Sequence, residues 1–434
     1  MSQRSKFPPV FWVANLIEVL ERFSYYGIYF GFGIYMTHLG FSRSDLGLVQ
    51  SVFLAVSYFV PVISGTMADK YGFKKVLIVS YVAYLPAILL LLVTESFSGI
   101  AITMLLIGMA AGIFKPLISG TVRAVTDGSN KTLGFGIFYA MVNVGGSFGP
   151  IVAGYLRAIS WKYAFIASAV SIGVMLVITV LFYKEPPREA DPASLGDKLV
   201  EILTVLKDLR FSSFLLILGV FFWLPFWAFF NLCAVYVDTN VDTAELYRNL
   251  DVVLGAIPLL GPWLVGVLSH EVDGTRRVLG ETISHTGYII MVLQIFVSAR
   301  IERWRAIPAF MLGLLIAAAG MVVLGFAVVA PAALVFAGIF LFAVGEMIAS
   351  PRIQEYITWI APKEKAGLYM GTNFIAVGIG GLLSGVIYTA VSGAFIDVGH
   401  PEYVWYVLAA HLVVGIAVIN LFTRVAGEFS ERQA

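Results

Sequence analysis

The chain has 434 residues, of which 59% are apolar and 13% charged, and its mean hydropathy is +0.89. Soluble domains carry about 25% charge, so this composition excludes a soluble enzyme, a disordered chain and a nucleic-acid binder, and a net charge of +1 offers no footprint for a polyanion. The single cysteine, Cys233, excludes an internal disulfide, and the five histidines have no metal-ligand spacing, so neither a metal nor an organic cofactor is expected.

A helical span needs about 20 mostly apolar residues. In chain order the sequence predicts spans over 10–36, 45–66, 74–93, 100–122, 134–156, 163–183, 213–237, 281–299, 307–329, 332–350, 367–392 and 403–423. The first is too long for a cleavable signal peptide and carries Glu18, Glu21 and Arg22. The expected fold is an all-α polytopic membrane protein of twelve transmembrane helices. With the N-terminus in the cytoplasm, lysine and arginine crowd that side, and the outer side holds only Arg43, Arg157, Lys162, Arg248, Arg276 and Arg277. That asymmetry predicts a multi-pass protein of the plasma membrane with both termini cytoplasmic. The apolar run 250–268 is long enough to cross, but a crossing would worsen the balance. It contains Gly255, Pro258, Gly261, Pro262 and Gly266, so 239–280 reads as an outer-face helical insertion, lying on or re-entering the membrane surface.

The charged segment 184–211 divides the chain into an N-terminal six-helix bundle, 1–183, and a C-terminal one, 212–434. Leu199, Ile202, Leu203, Leu206 and Leu209 follow helical spacing there, which predicts an amphipathic linker helix. Two six-span halves are a recurrent transporter plan, with the substrate site near mid-membrane between them. After the second span, Gly65-Thr66-Met67-Ala68-Asp69-Lys70-Tyr71-Gly72-Phe73-Lys74-Lys75 resembles the Gly-x-x-x-Asp-x-x-Gly-basic-basic signature of the major facilitator superfamily. A degenerate counterpart runs from Ala299 through Arg300, Glu302 and Arg303 to Arg305. The resemblance implies that Asp69 acts in gating rather than substrate contact.

Glu18, Glu21, Arg22, Lys115 and Glu346 lie inside spans, where each costs about 2.5–3.5 kcal/mol at the centre. Glu18, Glu21 and Arg22 share one helical face. Such a group is either a salt-bridge network that fixes packing or the lining of a wet cavity. Two cations in one half and an anion in the other suit a zwitterion, and an extended peptide of two or three residues spans about 7–11 Å.

The stretch Glu18-Val19-Leu20-Glu21-Arg22-Phe23-Ser24-Tyr25-Tyr26-Gly27 resembles the ExxERFxYYG hallmark of proton-coupled oligopeptide transporters. Gly112-Ile113-Phe114-Lys115-Pro116 is similar to that family's fourth-span segment, and Phe138-Tyr139 with Asn143 and Gly145 to its fifth. Gly345-Glu346-Met347, Ser350-Pro351, Ala361-Pro362-Lys363 and Met370-Gly371 resemble its tenth-to-eleventh-span pattern. The resemblance implies that Arg22 and Lys115 receive a peptide carboxylate and that Glu346 and Asn143 hold its amino group. It implies that Tyr25, Tyr26 and Tyr58 line the pocket, and that Glu18 and Glu21, with Arg22 and Lys115, couple transport to protons. A substrate carboxylate that draws the cations away leaves a glutamate without counter-charge, which a proton then neutralises.

Some residues depart from that family. Asn231-Leu232 stand where it has Glu-Gln, which puts gating at the seventh span in doubt. His285 stands where it has Asn-Pro, and reads either as a solvated interfacial residue or as a substrate-contacting, titratable one. His411 reads as packing; Tyr29, Phe30, Phe32 and Tyr35 read as general lining. Gly145, Gly146 and Gly149 permit close helix approach or flexing. The function expected is proton-coupled symport of di- and tripeptides by alternating access, in a carrier that works as a monomer. The alternative is an exporter, or a carrier of another zwitterionic or amphiphilic solute. A receptor without transport would not need Glu18, Arg22 and Lys115 together.

Overall fold

The computed structural model describes residues 6–127, 130–186, 195–301, 304–360, 366–427 and 429. Within lipid every backbone N–H and C=O must be paired inside its own segment, and this chain accordingly folds into helices. The elements in order are α1 (Pro9–His38), α2 (Arg43–Phe59), α3 (Pro61–Tyr71), α4 (Phe73–Leu90), α5 (Phe97–Ala124), α6 (Lys131–Ile159), α7 (Trp161–Phe182), α8 (Leu195–Leu206) and α9 (Leu209–Leu218). A π-helix, η1 (Gly219–Trp223), follows, then α10 (Leu224–Asn240), α11 (Thr243–Leu254), α12 (Leu260–Leu268), β1 (Ser269–Val272), β2 (Thr275–Val278) and α13 (Gly280–Ile283). The chain continues through α14 (Gly287–Ile301), α15 (Ala306–Phe326), α16 (Leu334–Ile360), α17 (Ala366–Asp397) and α18 (Tyr403–Ala426).

Among the described residues, 10 helical stretches are long and apolar enough to cross a bilayer. The other two predicted spans fall on α1, which carries Glu18, Glu21 and Arg22, and on α14, which has 15 residues. The second predicted span is divided, because Pro61 supplies no N–H and opens a new helix, α3. The seventh runs through η1. Pro225 follows that wide turn, and its ring would press on the carbonyl of Phe221 in a regular α-helix. The eighth begins six residues later than predicted, at Gly287, after a break at 284–286.

The segment 239–280, expected from the sequence to be an outer-face helical insertion, holds the two helices α11 and α12 and also a β-hairpin, which that expectation lacks. β1 and β2 pair antiparallel from Ser269↔Val278 to Val272↔Thr275, and Asp273 and Gly274 at the tip both have positive φ (51° and 72°). Asp242 caps α11, accepting from Ala244 N at 2.9 Å and Glu245 N at 3.0 Å. Before α12, Leu260 N donates to Pro258 O at 2.7 Å, a tight turn that holds Leu259 at φ 66° and 97% exposed.

Packing divides the chain into two compact units, Met1–Tyr29 with Val52–Lys207, and Phe30–Ser51 with Asp208–Ala434. In the first, α4 lies along α5 and α7, α3 against α5, and α6 against α7. In the second, α15 packs between α16 and α18, and α17 packs along η1 and α10.

Candidate functional site

In the first unit α1 places Glu18, Glu21 and Arg22 on one face. Arg22 Nε lies 3.0 Å from Glu18 Oε1, and Arg22 Nη2 lies 2.7 Å from Glu21 Oε2. The side chains of Arg22, Glu18 and Glu21 are 8%, 4% and 0% exposed. Among the described residues Arg22 Nε and both Glu21 oxygens lack a well-aligned hydrogen bond, so attraction between opposite charges is the main tie within this trio. The guanidinium carbon stands 5.4 Å from the Tyr25 ring centre, 6.0 Å from that of Tyr26 and 5.9 Å from that of Phe114.

Lys115 comes from the middle of α5. Its Nζ lies 4.4 Å from the Tyr25 ring centre and 4.6 Å from that of Tyr58, is buried, and makes no hydrogen bond among the described residues. The Tyr25 ring therefore faces both cations. An anion arriving here could displace the glutamates from Arg22 and give Lys115 the acceptor it lacks.

The crossing of α1 and α6 sets this geometry. A Cβ on Gly145 would fall 2.2 Å from Val19 O, and one on Gly149 would fall 2.3 Å from Phe23 O. Glycines four residues apart let the two backbones touch, which is the close-approach reading of these positions. Asn143, on the same helix, donates from Nδ2 to Tyr139 O at 2.9 Å.

In the second unit Glu346 sits on α16, and Thr286 Oγ1 donates to its Oε2 at 2.7 Å. The neighbouring Gly345 brings α16 onto α15, where a Cβ would meet Gly313 O at 2.5 Å. Thr286 and His285 occupy the break between α13 and α14. His285 is 3% exposed, with its ring 5.4 Å from that of Phe30 and 4.2 Å from that of Tyr288. The solvated, interfacial reading of His285 is thus corrected: α14 starts after it, and the histidine is folded beneath Phe30 instead of ending a span. Phe30 also packs on Phe230 at 5.9 Å. Asn231 is buried and donates from Nδ2 to Ser384 Oγ at 3.0 Å. His411 pairs with the Tyr388 hydroxyl at 2.5 Å and packs on Phe221.

The Asp69 side chain, Glu302, Arg303, Pro362 and Lys363 lie outside the described residues. Phe114, Thr286 and Phe30 belong to these clusters and were not singled out in the sequence as site residues. Phe114 and Thr286 adjoin Lys115 and His285 in the chain, but neither residue type carries a signal of its own.

Membrane-crossing helices that bury compensating charges in their interior are the plan of a transport protein. The chain belongs to the Major Facilitator Superfamily, whose family model matches residues 14–385. It is 24% identical over 225 residues to the quinolone resistance protein NorA of Staphylococcus aureus (strain Mu50 / ATCC 700699), a match covering 52% of this chain and 57% of NorA. That match thus spans little more than half the length of the relative. The uncharacterized MFS-type transporter YqjV of Bacillus subtilis (strain 168) is 23% identical over 389 residues, covering 88% of this chain and 86% of YqjV. Among solved structures, the nucleoside transporter NupG superposes with a TM-score of 0.74 at 13% identity over 95% of this chain and 99% of its own. The tetrameric PepTSo2 structure superposes with a TM-score of 0.70 at 21% identity over 97% of this chain and 99% of its own. At these identities the likeness is one of fold.

Proposed function

We propose that this protein is a proton-coupled transporter of small peptides that works by alternating access. The observation that carries the reading is the ammonium of Lys115, buried between two tyrosine rings with no hydrogen-bond partner among the described residues, beside an arginine paired with Glu18 and Glu21. A cation so placed within a membrane calls for an anion, and a peptide carboxylate supplies one. The reading assigns that carboxylate to Arg22 and Lys115, the peptide ammonium to Glu346 and Asn143, and the ring contacts to Tyr25, Tyr26 and Tyr58. Once the carboxylate engages Arg22, Glu18 and Glu21 lose their counter-charge, and a proton neutralises the buried anion left behind. Proton and substrate then bind cooperatively. The basic-residue asymmetry supports cytoplasmic termini in a plasma membrane, and both charged clusters lie within one chain, consistent with a working monomer.

Purified protein in proteoliposomes should take up dialanine when protons flow inward, and Lys115→Ala should abolish that uptake. Uptake indifferent to both the proton gradient and the membrane potential would overturn the reading. A second reading, an exporter or a carrier of another amphiphilic or zwitterionic solute, draws support from Asn231, a neutral amide bonded to Ser384 where a titratable carboxylate would serve coupling, and from the NorA match. A thermal-stabilisation panel of dipeptides, amino acids and amphiphilic amines separates the two, since only true ligands raise the melting temperature.

A further inference from the structure

The break between α13 and α14 contains a hydrogen-bond donor that no group among the described residues takes up. His285 Nδ1 accepts the backbone N–H of Gly287 at 3.3 Å. A backbone N–H only donates, so Nδ1 presents its lone pair and the neutral ring carries its proton on Nε2. Nε2 is buried and has no hydrogen-bond partner among the described residues. The rings of Phe30 and Tyr288 pack against the imidazole, and Tyr288 is itself tied by its hydroxyl to Thr282 O at 2.8 Å. The imidazole is thereby held in place with its donor unpaired, which native interiors avoid unless the group has a use.

The next residue specifies what that use is. Thr286 donates to Glu346 Oε2, and the other oxygen of that carboxylate takes no hydrogen bond from the protein among the described residues. Consecutive Cα atoms are about 3.8 Å apart, so the residue that holds the Glu346 carboxylate of α16 adjoins in the chain the residue that offers a neutral N–H donor. Breaks of this kind in membrane helices are where transporters bind their solutes. A second ammonium could not use the histidine donor, and a second anion would be repelled by Glu346. The complement is a cation with an uncharged acceptor close beside it. In an α-amino acyl group the ammonium nitrogen and the carbonyl oxygen are separated by only two carbon atoms.

We infer that His285 Nε2–H is the donor for the acyl oxygen adjoining the substrate ammonium, so that this segment selects an α-amino acyl head over a simple amine. The inference rests on the proposed role of Glu346 as the ammonium site and adds to it a residue that determines specificity. A ligand lacking the carbonyl would leave Nε2–H buried and unpaired, and sites built on such a bond discriminate strongly against it.

The test uses calorimetric titration of the purified full-length protein with three ligands: dialanine, its ketomethylene isostere, which keeps the carbonyl and loses the amide N–H, and its alkene isostere, which loses both. The wild-type protein is expected to bind dialanine and the ketomethylene compound alike, and the alkene at least tenfold more weakly. His285→Phe keeps a ring between Phe30 and Tyr288 and removes the donor, so all three should bind at the alkene level. His285→Gln returns a donor amide and should restore part of the discrimination. Glu346→Gln should weaken all three ligands while the ratio between them persists. If wild type binds dialanine but His285→Phe keeps the full ratio, the histidine assignment is overturned and the peptide reading stands. If wild type binds none of the three, both are overturned.

Discussion

Replacing Gly145 with alanine sets one carbon where the α1 backbone already runs. The new Cβ would stand 2.2 Å from Val19 O and 2.8 Å from Arg22 Cβ, where ordinary contact begins at 3.4 Å. The nearest atom is a main-chain carbonyl inside a helix, so no side chain can swing aside, and α1 must withdraw from α6 by about 1 Å in an interior packed like a crystal. Overpacking of this kind costs about 1–3 kcal/mol of stability. The turn that has to move is the one that carries Arg22. A misplacement of about 1 Å at a working group can cost about a hundredfold in rate. Gly145→Ala should therefore lower the melting temperature in detergent and cut proton-driven dialanine uptake in proteoliposomes by a factor on the order of a hundred. Gly136→Ala on the same helix, where a Cβ meets nothing within 4 Å, should change neither. If Gly145→Ala transports at the wild-type rate with an unmoved melting temperature, the backbone contact is not what positions Arg22.

Lys115→Ala should weaken dialanine binding at least tenfold by calorimetry, on the order of one charge-assisted bond, whereas Lys207→Ala, at an exposed position after α8, should not; equal effects would show that general charge, and not the site between Tyr25 and Tyr58, attracts the substrate. Asn231→Ala removes the 3.0 Å bond to Ser384 and should destabilise by about 1 kcal/mol with coupling intact; lost proton dependence at unchanged stability would instead assign Asn231 to gating. Asp242→Ala should speed amide exchange along α11 by the loss of a cap worth about 1 kcal/mol. The Glu245 and Ala244 amides, with Arg248 nearby, hold the Asp242 carboxyl below its usual value. Its contribution is present above the ordinary carboxylate pKa and disappears as pH falls through the depressed folded value. Wild type and variant should converge in acid, and a gap independent of pH would disprove the cap.

The charged residues inside spans were legible because lipid makes them conspicuous, and the i, i+3, i+4 spacing of Glu18, Glu21 and Arg22 predicted the shared face that their ion pairs display. What they pack against was not legible. In a membrane protein the lipid-facing and core-facing sides of a helix are both apolar, so no periodicity reports that Phe114 faces Arg22 or that Phe30 covers His285. The burial of His285 followed from where α14 begins, and the apolar residues around it fix no boundary. The hairpin, by contrast, had a readable signal. Asp273-Gly274 is a dipeptide suited to a two-residue turn with positive φ at both positions, although the apolar run before it carries the stronger pattern in the insertion. The division of the second span at Pro61 had the same kind of local warning.

The wide turn at Gly219–Trp223 holds one residue more than a regular helix would. Each residue of an α-helix advances the azimuth by about 100°, so everything beyond the turn is out of phase with α9 by that amount. The aromatic wall of Phe229 and Phe230 and the amide of Asn231 all lie beyond it. Deleting a single residue such as Val220 would leave their composition untouched and rotate all three away from their present partners, Phe342 and Ser384. The compass bearing of that wall thus depends on one spare peptide unit about two turns earlier in the same helix.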